Sequence, residues 1–172
     1  LSPGPGVGGH CLPIDPQFLT QSATDWRLIS VARDINESMA GHTAKLINDL
    51  LADVTHPRLT VLGVAYKGDV ADTRQTPALR LLRLAENYGY DVRVHDPHGE
   101  SFDDEPEPLP TAASGSDCLV VITDHDAYTD LDPTALKSRM RTPNIVDTRG
   151  CLDADAWSTA GFTVKRLGDG SR

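Results

Sequence analysis

The stretch "RLTVLGVAYKGDVADTRQTPALRLLRLAENYGYDVRVHDP" (58–97) decides the fold. It opens with a short apolar run, "RLTVLGVA" (58–65), which is typical of a buried strand and ends at a glycine-bearing turn. The amphipathic segment 77–89 follows, with a proline in its first turn and a glycine at its end, as in a capped helix. A second strand pattern, "YDVRVHDP" (90–97), completes the unit. The stretch therefore predicts two parallel strands joined by a crossover helix.

The same alternation of strand and helix patterns continues to the end of the chain. The later segments are a continuous apolar strand (117–123), a helix (132–140), a strand (144–148), a helix (153–161) and a final strand (162–167). Alternating segments at this spacing predict the α/β class, with a Rossmann-like, doubly wound parallel sheet of about five strands.

Polar and charged residues follow four of the predicted strands. They are "AYKGDVADTR" (65–74), "HDP" (95–97), "TDHD" (123–126) and "DTRG" (147–150). Ligands of doubly wound sheets bind outside the carboxyl ends of the strands. Polar and charged residues thus gather at the edge of the sheet where this fold binds its ligands.

A long helical pattern over 24–54 precedes the sheet. Its apolar residues keep near-heptad spacing and form a wide stripe, comprising Leu28, Ala32, Ile35, Met39, Leu46 and Leu50, widened by Ile29, Ile47 and Leu51. Such a stripe needs to be covered, either by the chain's own domain or by the same helix of a second subunit. The expected division is a loop-and-helix region at 1–54 and an α/β domain at 55–172.

The first residues, "SPGPGVGGHCLPIDP" (2–16), contain the spacing Gly4-x-Gly6-x-x-Gly9. In a dinucleotide-binding turn that spacing follows a strand and opens a helix. Here prolines interrupt the segment and no strand pattern stands before it, so the dinucleotide interpretation fails. Asp15 with the proline after it predicts the N-cap of a short helix over 15–22.

Cys11 lies in this glycine-backed loop, beside His10 and four residues before Asp15. An accessible thiol whose thiolate is favoured is a useful nucleophile, and a nearby acid can position water. The residues alone leave a catalytic cysteine and an inert loop thiol equally open. A metal site is disfavoured, because no further ligands show metal-binding spacing.

Composition excludes several classes of protein. The net charge is −9, with 20 Asp, 5 Glu, 12 Arg and 4 Lys, and such a surface repels nucleic acids and anionic membranes. The Asp-rich, Lys-poor balance resembles that of proteins from halophilic archaea and equally suits an ordinary acidic cytosolic protein. Three cysteines without C-x-x-C spacing fit a reducing cytoplasm rather than a disulfide framework.

Three stretches together resemble the UDP-glucose/GDP-mannose dehydrogenase family. "GPGVGGHCLPIDP" (4–16) is similar to the family's nucleophile loop. "VLGVAYKGDVADTRQTPA" (61–78) is similar to the opening of its C-terminal nucleotide-sugar-binding domain, and "NIVDTRG" (144–150) to an element near that domain's end. The loop most resembles the branch that oxidises UDP-N-acetylmannosamine or UDP-N-acetylglucosamine.

The resemblance implies an NAD-dependent 6-dehydrogenase that oxidises the C6 alcohol of a UDP-sugar to a carboxylate with two NAD per turnover. A cysteine captures the aldehyde as a thiohemiacetal, which is oxidised to a thioester and hydrolysed. The motif puts the nucleophile at Cys11 and the acid that positions water at Asp15. The sugar implied first is UDP-N-acetylmannosamine.

The resemblance also implies the binding residues. The substrate would contact Gly6, Gly8, Gly9, Tyr66, Lys67 and Arg149. Lys67 would lie near its diphosphate and sugar, and Arg149 would pair with its diphosphate. Tyr66 would pack beside the nucleotide, and the glycines would leave room for the ligands around the sulfur. Arg74 would reach the NAD pyrophosphate. A homodimer through the 24–54 helix is implied as well.

The family's N-terminal NAD-binding domain matches nothing in these 172 residues. We therefore expect a C-terminal portion of the enzyme that does not turn over alone, because hydride transfer needs a bound nicotinamide. The alternative is a non-catalytic module that binds UDP-sugar or only dimerises.

Overall fold

The computed structural model describes residues 4–16, 18, 27–99, 102 and 105–170. Five strands form one parallel sheet in the order β2-β1-β3-β4-β5, which confirms the predicted fold class. The strands are β1 (Arg58–Leu62), β2 (Asp91–His95), β3 (Cys118–Val121), β4 (Asn144–Asp147) and β5 (Thr163–Arg166). All four pairings between neighbouring strands are parallel.

Helices connect the strands and precede the sheet. They are α1 (Arg27–Leu51), α2 (Ala78–Asn87), α3 (Leu109–Ala112), α4 (Asp126–Thr129), α5 (Pro133–Lys137) and α6 (Ala154–Thr159). The one-turn helices α3 and α4 were not predicted. Of the helix predicted over 15–22, Asp15, Pro16 and Phe18 are helical, and the rest lies outside the described residues.

The cap residues explain where the helices begin and end. Asp132 and Asp153 each accept hydrogen bonds from two backbone N–H groups, in the first turns of α5 and α6 respectively. Gly89 follows the end of α2 at φ +77°, a conformation that favours glycine, as the sequence predicted.

The sheet has an apolar core on each face. On one face, α1 and α2 cover the sheet through Ile47, Leu51 and Leu81, which cluster with Leu59 and Val61 of β1. The other face is covered by a cluster whose largest members are Leu119, Tyr128, Leu136, Ile145, Trp157 and Phe162. Strand β3 is buried at all four positions, as its continuous apolar sequence predicted.

Helix α1 corrects the predicted apolar stripe. The face that packs against the sheet domain carries Ala40, Ala44, Ile47 and Leu51. Most of the predicted stripe lies about a third of a turn away from that face at 3.6 residues per turn, whereas Ile47 and Leu51, which were predicted to widen the stripe, lie on the buried face. Its N-terminal part is exposed, with Leu28 82% and Ile35 60% accessible, and Leu46 and Leu50 are only half-buried. The helix thus has two apolar faces, and the chain's own core covers one of them.

The strand order fixes where a ligand can enter. From β1 the chain passes to β2 on one side and later returns to β3 on the other side. The direction in which successive strands are added to the sheet therefore reverses between β1 and β3. In doubly wound sheets this change leaves a crevice at the carboxyl ends of the strands. Within the described residues, no helix combines the length and the apolarity that crossing a membrane requires.

Candidate functional site

The glycine-rich loop lies against the segment that follows β1. The Gly9 N–H donates to the Arg74 carbonyl oxygen at 3.1 Å. The Val7 N–H donates to the Asn36 side-chain oxygen of α1 at 3.0 Å. These two bonds hold the loop between the long helix and the sheet domain. Sequence reasoning did not single out Asn36, since nothing in its helical context marks it.

Close packing explains why glycine occupies positions 8 and 9. A Cβ atom on Gly8 would lie 2.6 Å from the Gln75 carbonyl oxygen and 2.9 Å from Tyr66 Cβ. A Cβ atom on Gly9, where φ is +93°, would lie 3.1 Å from the Tyr66 ring. The sequence interpretation gave this space to the ligands, whereas the chain itself fills it at both positions.

A cleft of about 420 Å³ opens at the carboxyl edge of the sheet. It is lined by Gly6, Val7, Gly8, Leu12, Tyr66, Lys67, Gly68, Asp69, Asp124 and Arg149. The lining thus combines the glycine loop with residues that follow β1, β3 and β4. The structure brings together five of the six predicted substrate-binding residues, and Gly9 packs behind them on the Tyr66 ring.

Arg149 enters the cleft from the turn after β4. Buried Asp147 forms this turn by accepting hydrogen bonds from the N–H groups of Arg149 and Gly150 at 2.9 and 2.7 Å. The Arg149 guanidinium donates from Nε and Nη2 to Asp124 Oδ1, at 3.1 and 2.8 Å. Its side chain is only 16% accessible, so the guanidinium is oriented before any ligand binds. Asp124 is a cleft residue that the sequence analysis named only within "TDHD".

Cys11 and Asp15 lie in an adjoining pocket with Leu12, Pro16 and Phe18. The N–H of Asp15 donates to the Cys11 carbonyl oxygen at 2.8 Å, so both residues belong to one turn. Asp15 therefore already lies inside the helical turn, and its prediction as an N-cap is wrong. Both side chains are exposed, and Leu12 lines this pocket as well as the larger cleft.

The three cysteines differ in their surroundings. Cys11 is exposed, Cys151 is half-buried and Cys118 is buried, and all three are free thiols. Burial raises the pKa of Cys118 and raises that of Cys151 to about 12. Neither forms a thiolate readily near neutral pH, which leaves Cys11 as the accessible thiol.

Arg74 lies apart from the cleft lining. Its side chain is 65% accessible and pairs with Asp72, with Nε 3.0 Å from both carboxylate oxygens. The hydrogen bonds from Arg74 hold the pKa of Asp72 at about 2. The structure thus shows Arg74 paired with Asp72 through its side chain and bonded to the Gly9 N–H through its backbone carbonyl.

A hydrogen-bond network that sequence analysis missed lies behind the cleft. Buried His125 bridges Asp69 and Asp96, which follow β1 and β2. Side-chain ligand atoms of Asp69, His98 and His125 come within 4.8 Å of one another. Because His125 Nδ1 already accepts the Asp69 N–H, we interpret this cluster as a hydrogen-bond network. The segments "HDP" and "TDHD" signalled polar strand ends, but not which residues would pair.

A five-stranded parallel sheet with a charged cleft at its carboxyl edge defines a doubly wound α/β domain whose ligand site lies at that edge. Two family models match the chain. The UDP-binding domain of the UDP-glucose/GDP-mannose dehydrogenase family matches residues 60–154, and the central domain of the same family matches residues 1–38. The chain belongs to the UDP-glucose/GDP-mannose dehydrogenase family.

Individual relatives agree with this assignment. A UDP-N-acetyl-D-mannosamine dehydrogenase of Methanococcus maripaludis is 36% identical over 99% of the chain and 41% of its own length. The structure of a UDP-D-ManNAc dehydrogenase from Pyrococcus horikoshii matches with a TM-score of 0.87 and 33% identity, covering 98% of this chain and 40% of that one. An NDP-N-acetyl-D-galactosaminuronic acid dehydrogenase from Methanosarcina mazei has a TM-score of 0.90 and 28% identity, over 98% and 39%. The chain thus spans about two fifths of the length of these relatives.

Proposed function

We propose that this chain is the part of an NAD-dependent UDP-sugar 6-dehydrogenase that supplies the nucleophile and binds the nucleotide sugar. One observation carries the proposal: the loop that contains Cys11 lines the same cleft as Lys67 and Arg149 and is hydrogen-bonded to the segment after β1. Two cations at one cleft suit a diphosphate, and the planar fork of arginine binds phosphate oxygens in pairs.

The proposed chemistry uses a thiolate at Cys11. After the C6 alcohol has been oxidised to an aldehyde, the sulfur adds to the aldehyde carbon and forms a thiohemiacetal. Loss of a second hydride gives a thioester, and water releases the carboxylate and restores the thiol. Asp15, one turn from Cys11, would position this water and accept its proton.

NAD, when bound, supplies the hydride acceptor for both oxidations. Within the described residues, the exposed guanidinium of Arg74 fits a pyrophosphate contact, because it lies beside the loop that carries Cys11. Its pairing with Asp72 would then have to be exchanged for the ligand. The rest of the cofactor site would come from a nicotinamide-binding domain such as the family possesses.

The proposed substrate is UDP-N-acetylmannosamine. Its support is the set of relatives named for this sugar, which match 98% or more of the chain. We further propose a cytoplasmic homodimer, supported by the three free thiols and by the exposed apolar residues of α1.

The proposal can be tested through the accessible thiol. Iodoacetamide is expected to alkylate Cys11 first, as followed by intact mass and peptide mapping, and the Cys11→Ser variant should lose this fast phase. UDP-N-acetylmannosamine should slow the alkylation more than UDP does, because its sugar would lie against the sulfur. An alkylation rate unchanged by the nucleotide sugar would contradict the proposed site and favour a non-catalytic module.

A further inference from the structure

His125 is a fully buried residue directly behind the cleft, and both of its ring nitrogens have partners. Nδ1 accepts a hydrogen bond from the Asp69 N–H at 3.0 Å. Nε2 lies 3.1 Å from Asp96 Oδ2. An N–H group can only donate, so Nδ1 carries no proton, and the proton of the neutral ring lies on Nε2.

Asp96 fixes this arrangement from the other side. Its carboxylate also accepts hydrogen bonds from the N–H groups of Val64, Ala65 and His98, at 2.6, 3.0 and 2.7 Å. Burial raises the pKa of Asp96, but the hydrogen bonds from His125 and these N–H groups outweigh it and lower the pKa to about 2. An ionised carboxylate has no proton to give, so Nε2 must be the donor.

Asp69 is the residue whose conformation needs this support. Its φ of +58° lies in the left-handed region, which non-glycine residues rarely adopt. Two bonds hold it there. Its N–H donates to His125, and its Oδ1 accepts the Asp126 N–H at 3.0 Å. The turn formed by Lys67, Gly68 and Asp69 lines the cleft.

We propose that His125 is a positioning residue for nucleotide-sugar binding, which fixes the Lys67–Asp69 turn through Nδ1 and thereby places Lys67 at the diphosphate of the ligand. The inference rests on the proposed function, because the ligand is the one proposed there. It adds a residue outside the cleft lining, which acts through the Asp69 backbone.

Two substitutions each remove a different one of the two hydrogen bonds that the His125 ring forms. His125→Asn keeps an acceptor near the Nδ1 position and loses the donor to Asp96. His125→Gln keeps a donor near the Nε2 position and loses the acceptor for Asp69. Both remove the ring, and with it the edge-to-face contact with Tyr128, whose centroid lies 5.3 Å away. A difference between the variants therefore compares loss of the Asp69 bond with loss of the Asp96 bond at equal loss of the ring, and weaker binding by His125→Gln identifies the Asp69 bond as the one that matters.

The first measurement is a titration of UDP into the wild-type chain and both variants. The His125→Gln variant lacks the hydrogen bond to the Asp69 N–H that holds the turn. This variant should therefore bind UDP about fivefold more weakly than the His125→Asn variant does. The second measurement is hydrogen exchange of the Asp69 amide without ligand. This amide should remain protected in the wild type and His125→Asn and should exchange about tenfold faster in His125→Gln.

Equal weakening of UDP binding in the two variants would overturn the proposal. Should the wild type not bind UDP, the proposed function fails, and amide exchange still tests the positioning: equal protection of Asp69 in both variants overturns it. The ring ¹⁵N spectrum of wild-type His125 is independent of any variant. It must show a proton on Nε2, and a proton on Nδ1 overturns the proposal.

Discussion

Asp96 shows at the scale of a residue how the sheet edge is held together. Its side chain reaches from the end of β2 across the end of β1, where it accepts two backbone N–H groups, to His125 beyond β3. One buried carboxylate thus ties together the loops after three neighbouring strands. Such a group stabilises the fold only while it is ionised and fully hydrogen-bonded.

The pKa of Asp96 predicts a stability that depends on pH. Its folded-state pKa of about 2 lies below the ordinary value of 3.8, so the ionised form favours the folded state. The contribution is complete above about pH 5, amounts to roughly 2 kcal/mol, and is lost as the pH falls toward 2. Asp96→Asn should therefore lower the free energy of unfolding at pH 7, and its difference from the wild type should shrink between pH 4 and pH 2.

Urea unfolding across this pH range measures the effect. Asp49→Asn, an exposed substitution on α1, provides the control and should change the free energy of unfolding by about 0.5 kcal/mol or less. A difference between wild type and Asp96→Asn that stays constant down to pH 2 would show that Asp96 is not ionised in the folded protein.

At the scale of elements, the glycine-rich loop depends on a close approach to the segment after β1. Gly8→Ala would put a methyl group 2.6 Å from the Gln75 carbonyl oxygen, so the loop or that segment has to move. We expect loss of the bond from the Gly9 N–H to Arg74, seen as about tenfold faster exchange of the Gly9 amide. The expected destabilisation is about 1–3 kcal/mol.

Gly41→Ala is the matched control for this substitution. Gly41 lies exposed in α1, and a Cβ atom there meets nothing within 4 Å. Alanine should therefore stabilise the helix by about 0.5–1 kcal/mol and leave the Gly9 amide protected. Equal protection of the Gly9 amide in Gly8→Ala and in the wild type would contradict the docking of the loop.

Periodicity predicts some elements well, for physical reasons. Strand β3 and helix α2 could be predicted because their burial follows from local patterns, a continuous apolar run in β3 and a period of 3.6 residues in α2. The one-turn helices α3 and α4 carry too few residues to show a period. The buried face of α1 was predicted only in part, through Ile47 and Leu51, because other residues on it are small, such as Ala40 and Ala44, while larger apolar residues lie on the other face.

Contacts between side chains that follow different strands could not be predicted from local sequence patterns. The place of the cleft was predictable from the carboxyl-end rule, and residues after β1, β3 and β4 line it, whereas the segment after β2 does not. That His125 meets Asp96 depends on strand order, which places β2 and β3 on opposite sides of β1. Arg74 was assigned by resemblance, and its ion pair with Asp72 could not be read from the family pattern.

At the scale of the whole molecule, the exposed apolar residues of α1 are the feature that the chain's own core leaves uncovered. Leu28, Val31 and Ile35 are each more than half accessible, and they lie on one face at helical spacing. We expect them to form the proposed dimer interface. Leu28→Glu with Ile35→Glu should convert a dimer to a monomer in light scattering, with little change in thermal stability.

Ser30→Glu is the control for the dimer, because this exposed position lies on the opposite side of α1. It should leave the mass unchanged. A wild-type chain that is monomeric at high concentration would contradict the proposed dimer while leaving the nucleotide-sugar site untouched.

The central claim is that the cleft at the carboxyl edge binds the diphosphate of a UDP-sugar, and calorimetric titration of UDP tests it most directly. We expect saturable binding by the wild type and by the control variant Arg139→Gln. Arg139 is an exposed residue near the amino edge of the sheet, and its substitution changes the charge by the same amount as Arg149→Gln does. Arg149→Gln should bind at least about tenfold more weakly, since it loses charge-assisted hydrogen bonds to phosphate. No binding by the wild type, or equal affinity in all three proteins, would contradict the account.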